Sequence, residues 1–189
     1  MTWLAFHMRT EYRTLYCPPV HLQFKTLDEH AAVLAENIRN RLSDTVCKVD
    51  FVTYSMGGLL FRALLNHLDQ SLIGKVVMIA PPNQGAEMAV LVRRFLPIHH
   101  LGWDPLRQLL PQSSNHLPEP RLSIPVLVIA GIKGDGRGYR RSLSEDNDGK
   151  VCLSETYLQR EHQHHVVIGR HPALIIQPST ILYARKFLY

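Results

Sequence analysis

The apolar residues of this chain alternate between two spacings, and the alternation predicts its elements. Residues 3–12, with Trp3, Leu4, Phe6, His7 and Met8, carry a weak helical stripe, and Arg13 to Cys17 supply a short strand stopped by Pro18 and Pro19. Thr26 to Glu29 have the spacing of a capping box. Leu27, Ala31, Leu34, Ile38 and Leu42 then recur on one face, so 27–42 reads as a helix that packs on a sheet by that stripe. A β-rich run at 48–54 passes without a loop into a helical run at 56–69. Gly74 to Ala80 and Ile124 to Gly131 are continuous apolar runs of strand length, the pattern of parallel strands buried on both faces. Residues 86–97 read as a helix, Gln163 to Ile168 as a last short strand, and Ala173 to Leu188 as a final helix.

Strands near 13–17, 48–54, 75–80, 125–131 and 164–168, interleaved with helices, predict an α/β fold of about five parallel strands with helices on both faces. No internal repeat breaks this order, so residues 1–189 are expected to form a single domain. One stretch has no clean period. Residues 97–123 are rich in Pro, Ser, His and Leu and have room for a small lid over one end of the sheet.

Composition narrows the partners. A length of 189 residues with 46% hydrophobic content suits one domain with a sizeable core. There is no apolar run of transmembrane length, and the start lacks the basic-then-apolar order of a signal peptide, so the expected location is cytoplasmic. Cys17, Cys47 and Cys152 are odd in number and widely spaced, which argues against a disulfide framework and shows no metal-ligand spacing. The formal charge of +5 comes from scattered residues such as Arg9, Arg13, Arg93, Arg94, Arg137, Arg140 and Arg141, without interleaved aromatics, so no nucleic-acid partner is expected. Nothing in the sequence specifies an oligomeric state.

The chemistry concentrates where the run ending at Tyr54 meets the helix that follows it. Ser55 sits on a sharp strand-to-helix turn, Gly57 and Gly58 keep the helix side of that turn small, and the helix N-terminus aims backbone N–H groups at the serine. Thr53-Tyr54-Ser55-Met56-Gly57-Gly58 resembles the nucleophile elbow of α/β-hydrolases, in the lipase and esterase branch. Two positions depart from that pattern: Thr53 stands where Gly is usual, which predicts a crowded turn, and Tyr54 stands where His is common. Ala80-Pro81-Pro82-Asn83-Gln84-Gly85 resembles the segment after the next strand in the same family. The resemblance implies a parallel-sheet sandwich of α/β-hydrolase type, Ser55 as nucleophile and the Met56 N–H as an oxyanion donor.

A serine nucleophile needs a base and a carboxylate to orient it, in the family order Ser, acid, His. Glu145, Asp146 and Asp148 all lie in a stretch that also reads as an Asx-rich turn. By resemblance of Asp148-Gly149-Lys150-Val151 to the family's acid-bearing segment, the acid is Asp148. For the base, His162, His164, His165 and His171 all follow the acid. His164 and His165 belong to the predicted strand and would face opposite ways, whereas Ile168-Gly169-Arg170-His171-Pro172-Ala173 resembles the loop that carries the catalytic His. A zinc site from His162, His164 and His165 lacks a fourth ligand at a recognised spacing, and no metal or cofactor is expected.

The family resemblance also implies a strand ending in His-Gly ahead of the first helix, which would supply the second oxyanion donor. No such segment occurs, so the chain is expected to be an N-terminally truncated version of the fold. The expected function is hydrolysis of small-molecule carboxylic esters by acyl transfer through Ser55, Asp148 and His171, with weak activity for want of that donor. The alternatives are a hydrolase-like binding protein, or a thioesterase or acyltransferase using the same three residues. Leu96, Ile98, Leu101, Trp103, Leu106, Leu109 and Leu110 are candidates to line an acyl pocket or simply to cover the sheet end.

Overall fold

The computed structural model describes residues 26–42, 48–95, 104 and 106–189. The predicted helix at 3–12, the predicted strand at 13–17 and residues 97–103 and 105 of the expected lid lie outside them. Helix α1, Leu27–Arg39, opens with the capping box: Thr26 Oγ1 accepts the Glu29 N–H at 3.2 Å and Glu29 Oε2 accepts the Thr26 N–H at 2.7 Å. Two of the orphan donors at the helix start are thereby satisfied. Leu27, Ala31, Ala35 and Ile38 are buried, with Leu34 and Leu42 packed at the margin, so the stripe faces the core as expected.

Four strands follow: β1 Val49–Tyr54, β2 Ile73–Ile79, β3 Val126–Ile132 and β4 Gln163–Ile168. They pair in parallel in the order β1-β2-β3-β4. Strands β2 and β3 lie inside this order, which is why their runs need no polar alternation. Their successive residues point to opposite faces. Val76, Met78, Val126 and Val128 join α1 and helix α2, Gly57–Leu64, in one core. Val77, Ile79, Leu127 and Ile129 meet Leu174 and the inner side of the last helix in a second. The sheet is thus covered on both faces. Strand β4 forms an edge among the described residues, and its Val166 and Ile168 are 41% and 66% exposed.

Helix α2 is buried on every side from Gly58 to Leu64, and this includes Arg62. The Arg62 guanidinium donates to the carbonyls of Asn83 (2.7 Å), Leu117 (2.6 Å) and Pro118 (3.1 Å), which is how a charged side chain is accommodated in an apolar helix. It ties the elbow helix both to the loop after β2 and to the end of the short helix region at 107–117. Helix α3, Glu87–Phe95, lies where expected, and α4, Pro111–Ser114, is a single turn in the 97–123 stretch. The Ala86 N–H donates to the Leu109 carbonyl, anchoring that stretch beside the loop after β2.

The last helix differs from expectation. Instead of running from Ala173, the chain makes a short 3₁₀ turn at His171–Ala173 and enters α5 only at Pro178–Leu188. Proline cannot accept a preceding helical residue without a clash, and Gln177 is accordingly extended. No helix among the described residues is long and apolar enough to cross a membrane.

Candidate active site

Ser55 follows the last residue of β1 and has a left-handed backbone, φ 53°. Few non-glycine residues adopt this region, and holding one there costs on the order of 1–3 kcal/mol. The surroundings hold it: the Ser55 N–H donates to the Ile79 carbonyl of β2 at 2.8 Å, and the Ser55 carbonyl accepts the Gly58 N–H at 2.9 Å. A Cβ on Gly58 would lie 2.7 Å from Pro81 Cβ, so glycine is required there for the elbow helix to pack on the loop after β2. Gly57 has more room, since its Cβ would meet Thr53 Cβ at 3.7 Å. Thr53 therefore does not crowd the turn as its place in the motif predicts. Met56 stands at the N-cap of α2, which places its N–H at the positive end of that helix, beside the serine.

Asp148 lies on the loop after β3, and it is 2% exposed. Its Oδ1 accepts the N–H groups of Lys150 and Val151, each at 2.9 Å, and its Oδ2 accepts His171 Nδ1–H at 2.6 Å. Two backbone donors and one imidazole donor satisfy a buried carboxylate that would otherwise be costly. The neighbouring acids have other work. Asp146 accepts from the N–H groups of Lys133, Gly134, Gly136 and Asn147, and Glu145 accepts from the Ser154 N–H, so both shape the loop.

His171 follows β4 and is also 2% exposed. Because Nδ1–H donates to the Asp148 carboxylate, Nε2 is left to accept, and Ser55 Oγ stands 2.9 Å from it. The His171 N–H also donates to the Asp148 carbonyl at 2.8 Å. The structure thus brings Ser55, His171 and Asp148 into one hydrogen-bonded line at the carboxyl ends of β1, β3 and β4. Such a line can draw a proton from the hydroxyl as its oxygen attacks an electrophile.

The other three candidate histidines make different contacts. His162 Nδ1 donates to the Arg160 carbonyl at 2.8 Å. His164 Nε2 lies 2.9 Å from Thr156 Oγ1 and its ring stacks on Tyr157, while His165 stacks on Tyr183 of α5. Burial, then the nearby His162 and His165, lower the His164 pKa to about 4, so it is neutral at ordinary pH.

Three contributors were not legible as site residues. Gly131 in β3 has no room for a side chain: a Cβ there would lie 2.7 Å from Leu174 Cδ1, and 3.0 Å from both Asp148 Cβ and the Gly169 carbonyl. An isolated glycine inside a strand run is the available sequence signal for such close approach. Tyr54 donates its hydroxyl to the His171 carbonyl, a contact across 117 positions that no local pattern reveals. The third is a brace under the Asp148 loop formed by Glu87, Cys152 and Glu155, whose ligating atoms lie within 4.8 Å of one another. Glu155 accepts the N–H groups of Glu87 and Cys152, and Glu87 accepts from Ser144. Burial, followed by the charges of Glu155 and Glu87, pushes the Cys152 thiol up to about 12, so the free thiol is protonated at neutral pH.

No family model matches the chain, and comparison with curated proteins found no match. Solved structures do match. The mature form of the Bacillus licheniformis lipase BlEst2 aligns with a TM-score of 0.67 at 22% identity, covering 89% of this chain and 75% of that one. The phospholipase PlaB from Legionella pneumophila aligns with a TM-score of 0.71 at 16% identity over 100% of this chain and 56% of its own. The metagenomic carboxyl esterase MGS0156 aligns with a TM-score of 0.61 at 14% identity, covering 78% of this chain and 52% of that one. The chain has an α/β-hydrolase fold. It spans three quarters of the Bacillus lipase and little more than half of the other two proteins.

Proposed function

We propose that this α/β-hydrolase chain is a serine hydrolase of small-molecule carboxylic esters. The observation that carries the reading is the continuous line from Ser55 Oγ through the His171 imidazole to Asp148, with 2.9 Å and 2.6 Å between the polar atoms. In the proposed reaction Ser55 Oγ bonds to the ester carbonyl carbon as its proton passes to His171 Nε2. The carbonyl π electrons move onto oxygen, where the Met56 N–H at the start of α2 donates to the oxyanion. Asp148 accepts the hydrogen bond from Nδ1–H and stabilises the imidazolium. Collapse of the intermediate expels the alcohol, which leaves with the proton from Nε2, and water then repeats the sequence on the acyl-serine to release the acid and regenerate Ser55.

The same steps serve a thioester, or an acceptor other than water, so the bond class is set by what the acyl site admits. The test measures p-nitrophenyl acetate hydrolysis and fluorophosphonate labelling for the parent, Ser55→Ala and Asp148→Asn. Ser55→Ala is expected to be unlabelled and to lose ~10³-fold or more in turnover, and Asp148→Asn to lose ~10²–10⁴-fold. Undiminished hydrolysis by Ser55→Ala overturns the serine mechanism. A parent that neither labels nor hydrolyses favours a binding protein on a hydrolase fold.

A further inference from the structure

The residue before the serine departs from the family pattern, and its contacts give that departure a use. Tyr54 is the last residue of β1. Its hydroxyl donates to the His171 carbonyl at 2.9 Å, and its ring lies against the His171 imidazole with centroids 5.0 Å apart and planes tilted by 35°. The His171 N–H is held by the Asp148 carbonyl on the acid loop. One peptide group on each side of His171 is therefore tied down, from two different directions.

We propose that Tyr54 is a positioning residue that fixes the separation between Ser55 Oγ and His171 Nε2, by tying the backbone of the base to the strand that carries the nucleophile. The inference rests on the serine-hydrolase reading. Tyr54 is covalently adjacent to Ser55, so a hydrogen bond from its ring to the base fixes the two reacting groups in one rigid unit. Without it, the backbone of His171 is located through the long loop after β3, which carries several exposed residues, and through Gly169 and Arg170 after β4. Burial, and then the charge of Asp148, raises the Tyr54 hydroxyl to about 12, so it remains a donor through the neutral and moderately alkaline range. The ring keeps one face of the imidazole from rotating away, as a smaller side chain at this position would not.

The test compares Tyr54→Phe, which keeps the ring and removes the hydroxyl, with Tyr54→Leu, which removes both. Steady-state p-nitrophenyl acetate kinetics and fluorophosphonate labelling rates are measured beside Ser55→Ala, with far-UV circular dichroism and thermal midpoints as the check on folding. Tyr54→Phe is expected to lower kcat and the labelling rate about tenfold with KM unchanged, and Tyr54→Leu to lower them further, because misplacing a reacting group by a fraction of an ångström costs rate rather than binding. If Ser55→Ala abolishes labelling while Tyr54→Phe stays within twofold of the parent in kcat, the positioning role is overturned and the hydrolase reading stands. A Tyr54→Phe that raises KM and keeps kcat also overturns it, by assigning Tyr54 to substrate binding. Labelling retained by Ser55→Ala removes the hydrolase reading, and this inference with it.

Discussion

A single residue at the elbow trades stability for placement. Ser55 has φ 53°, and the left-handed region crowds the Cβ of any L-residue against its own backbone. Glycine has no Cβ and enters this region freely. Two variants without the hydroxyl therefore isolate the strain, because Ser55→Ala keeps the Cβ and Ser55→Gly removes it. Ser55→Gly is expected to be more stable than Ser55→Ala by about 1 kcal/mol, a thermal midpoint higher by about 2–4 °C. Equal midpoints, or a lower one for the glycine variant, would show that the elbow holds no such strain. The same residue illustrates what sequence reveals. The serine with small residues after it is a local pattern, so the sharp turn could be read directly. The need for Gly58 arises from Pro81, more than twenty positions on, and was visible only as a rule about small neighbours.

Among elements, the loop after β3 does the work of a support. It delivers Asp148 to His171, yet its fold is held by Glu155 and Glu87, which brace it to the start of α3. Burial raises the Glu155 carboxyl from its ordinary 4.5 to about 7, against the lowering effect of the Glu87 and Cys152 N–H groups, with Glu87 and Glu145 charges adding to the rise. The folded state thus keeps a proton that the unfolded chain gives up near 4.5. The stabilisation this proton provides is complete below 4.5 and is lost as pH rises through about 7. Glu155→Gln carries no such proton. Its stability, measured by urea unfolding at several pH values, is expected to fall less steeply than the parent's across that window, by about 1–2 kcal/mol after allowing for partial solvent screening. Parallel stability profiles would show that Glu155 titrates normally.

Legibility also follows the scale of the contact. The capping box of α1 and the apolar runs of β2 and β3 are written in neighbouring residues, and their bounds were close. The final helix is expected over Ala173 to Leu188, whereas the steric demand of Pro178 on Gln177 decides where it starts. The Glu87 brace and the Tyr54 contact join residues far apart in sequence, where neither periodicity nor a motif applies.

For the whole molecule, the placement of Ser55 and His171 within the sheet sets the order in which their contact and the core are lost. Strands β2 and β3 are interior and almost wholly buried, whereas β1 is only half-buried along its length and pairs with β2 through an irregular register between Val49 and Phe51. Among the described residues β4 has its other side open, and the His171 loop follows it. Ser55 and His171 thus hang on the two outer strands of the described sheet, while the apolar burial that dominates stability lies between them. Elements with less burial open at lower free energy than the core. In a urea titration the rate of fluorophosphonate labelling is therefore expected to fall at a lower concentration than the far-UV circular dichroism signal. Hydrogen exchange is expected to be slowest at residues 76–79 and 126–130. Coincident loss of labelling and of helical signal would mean that β1 and β4 unfold only with the interior strands, and that the Ser55 to His171 distance is as stable as the core itself.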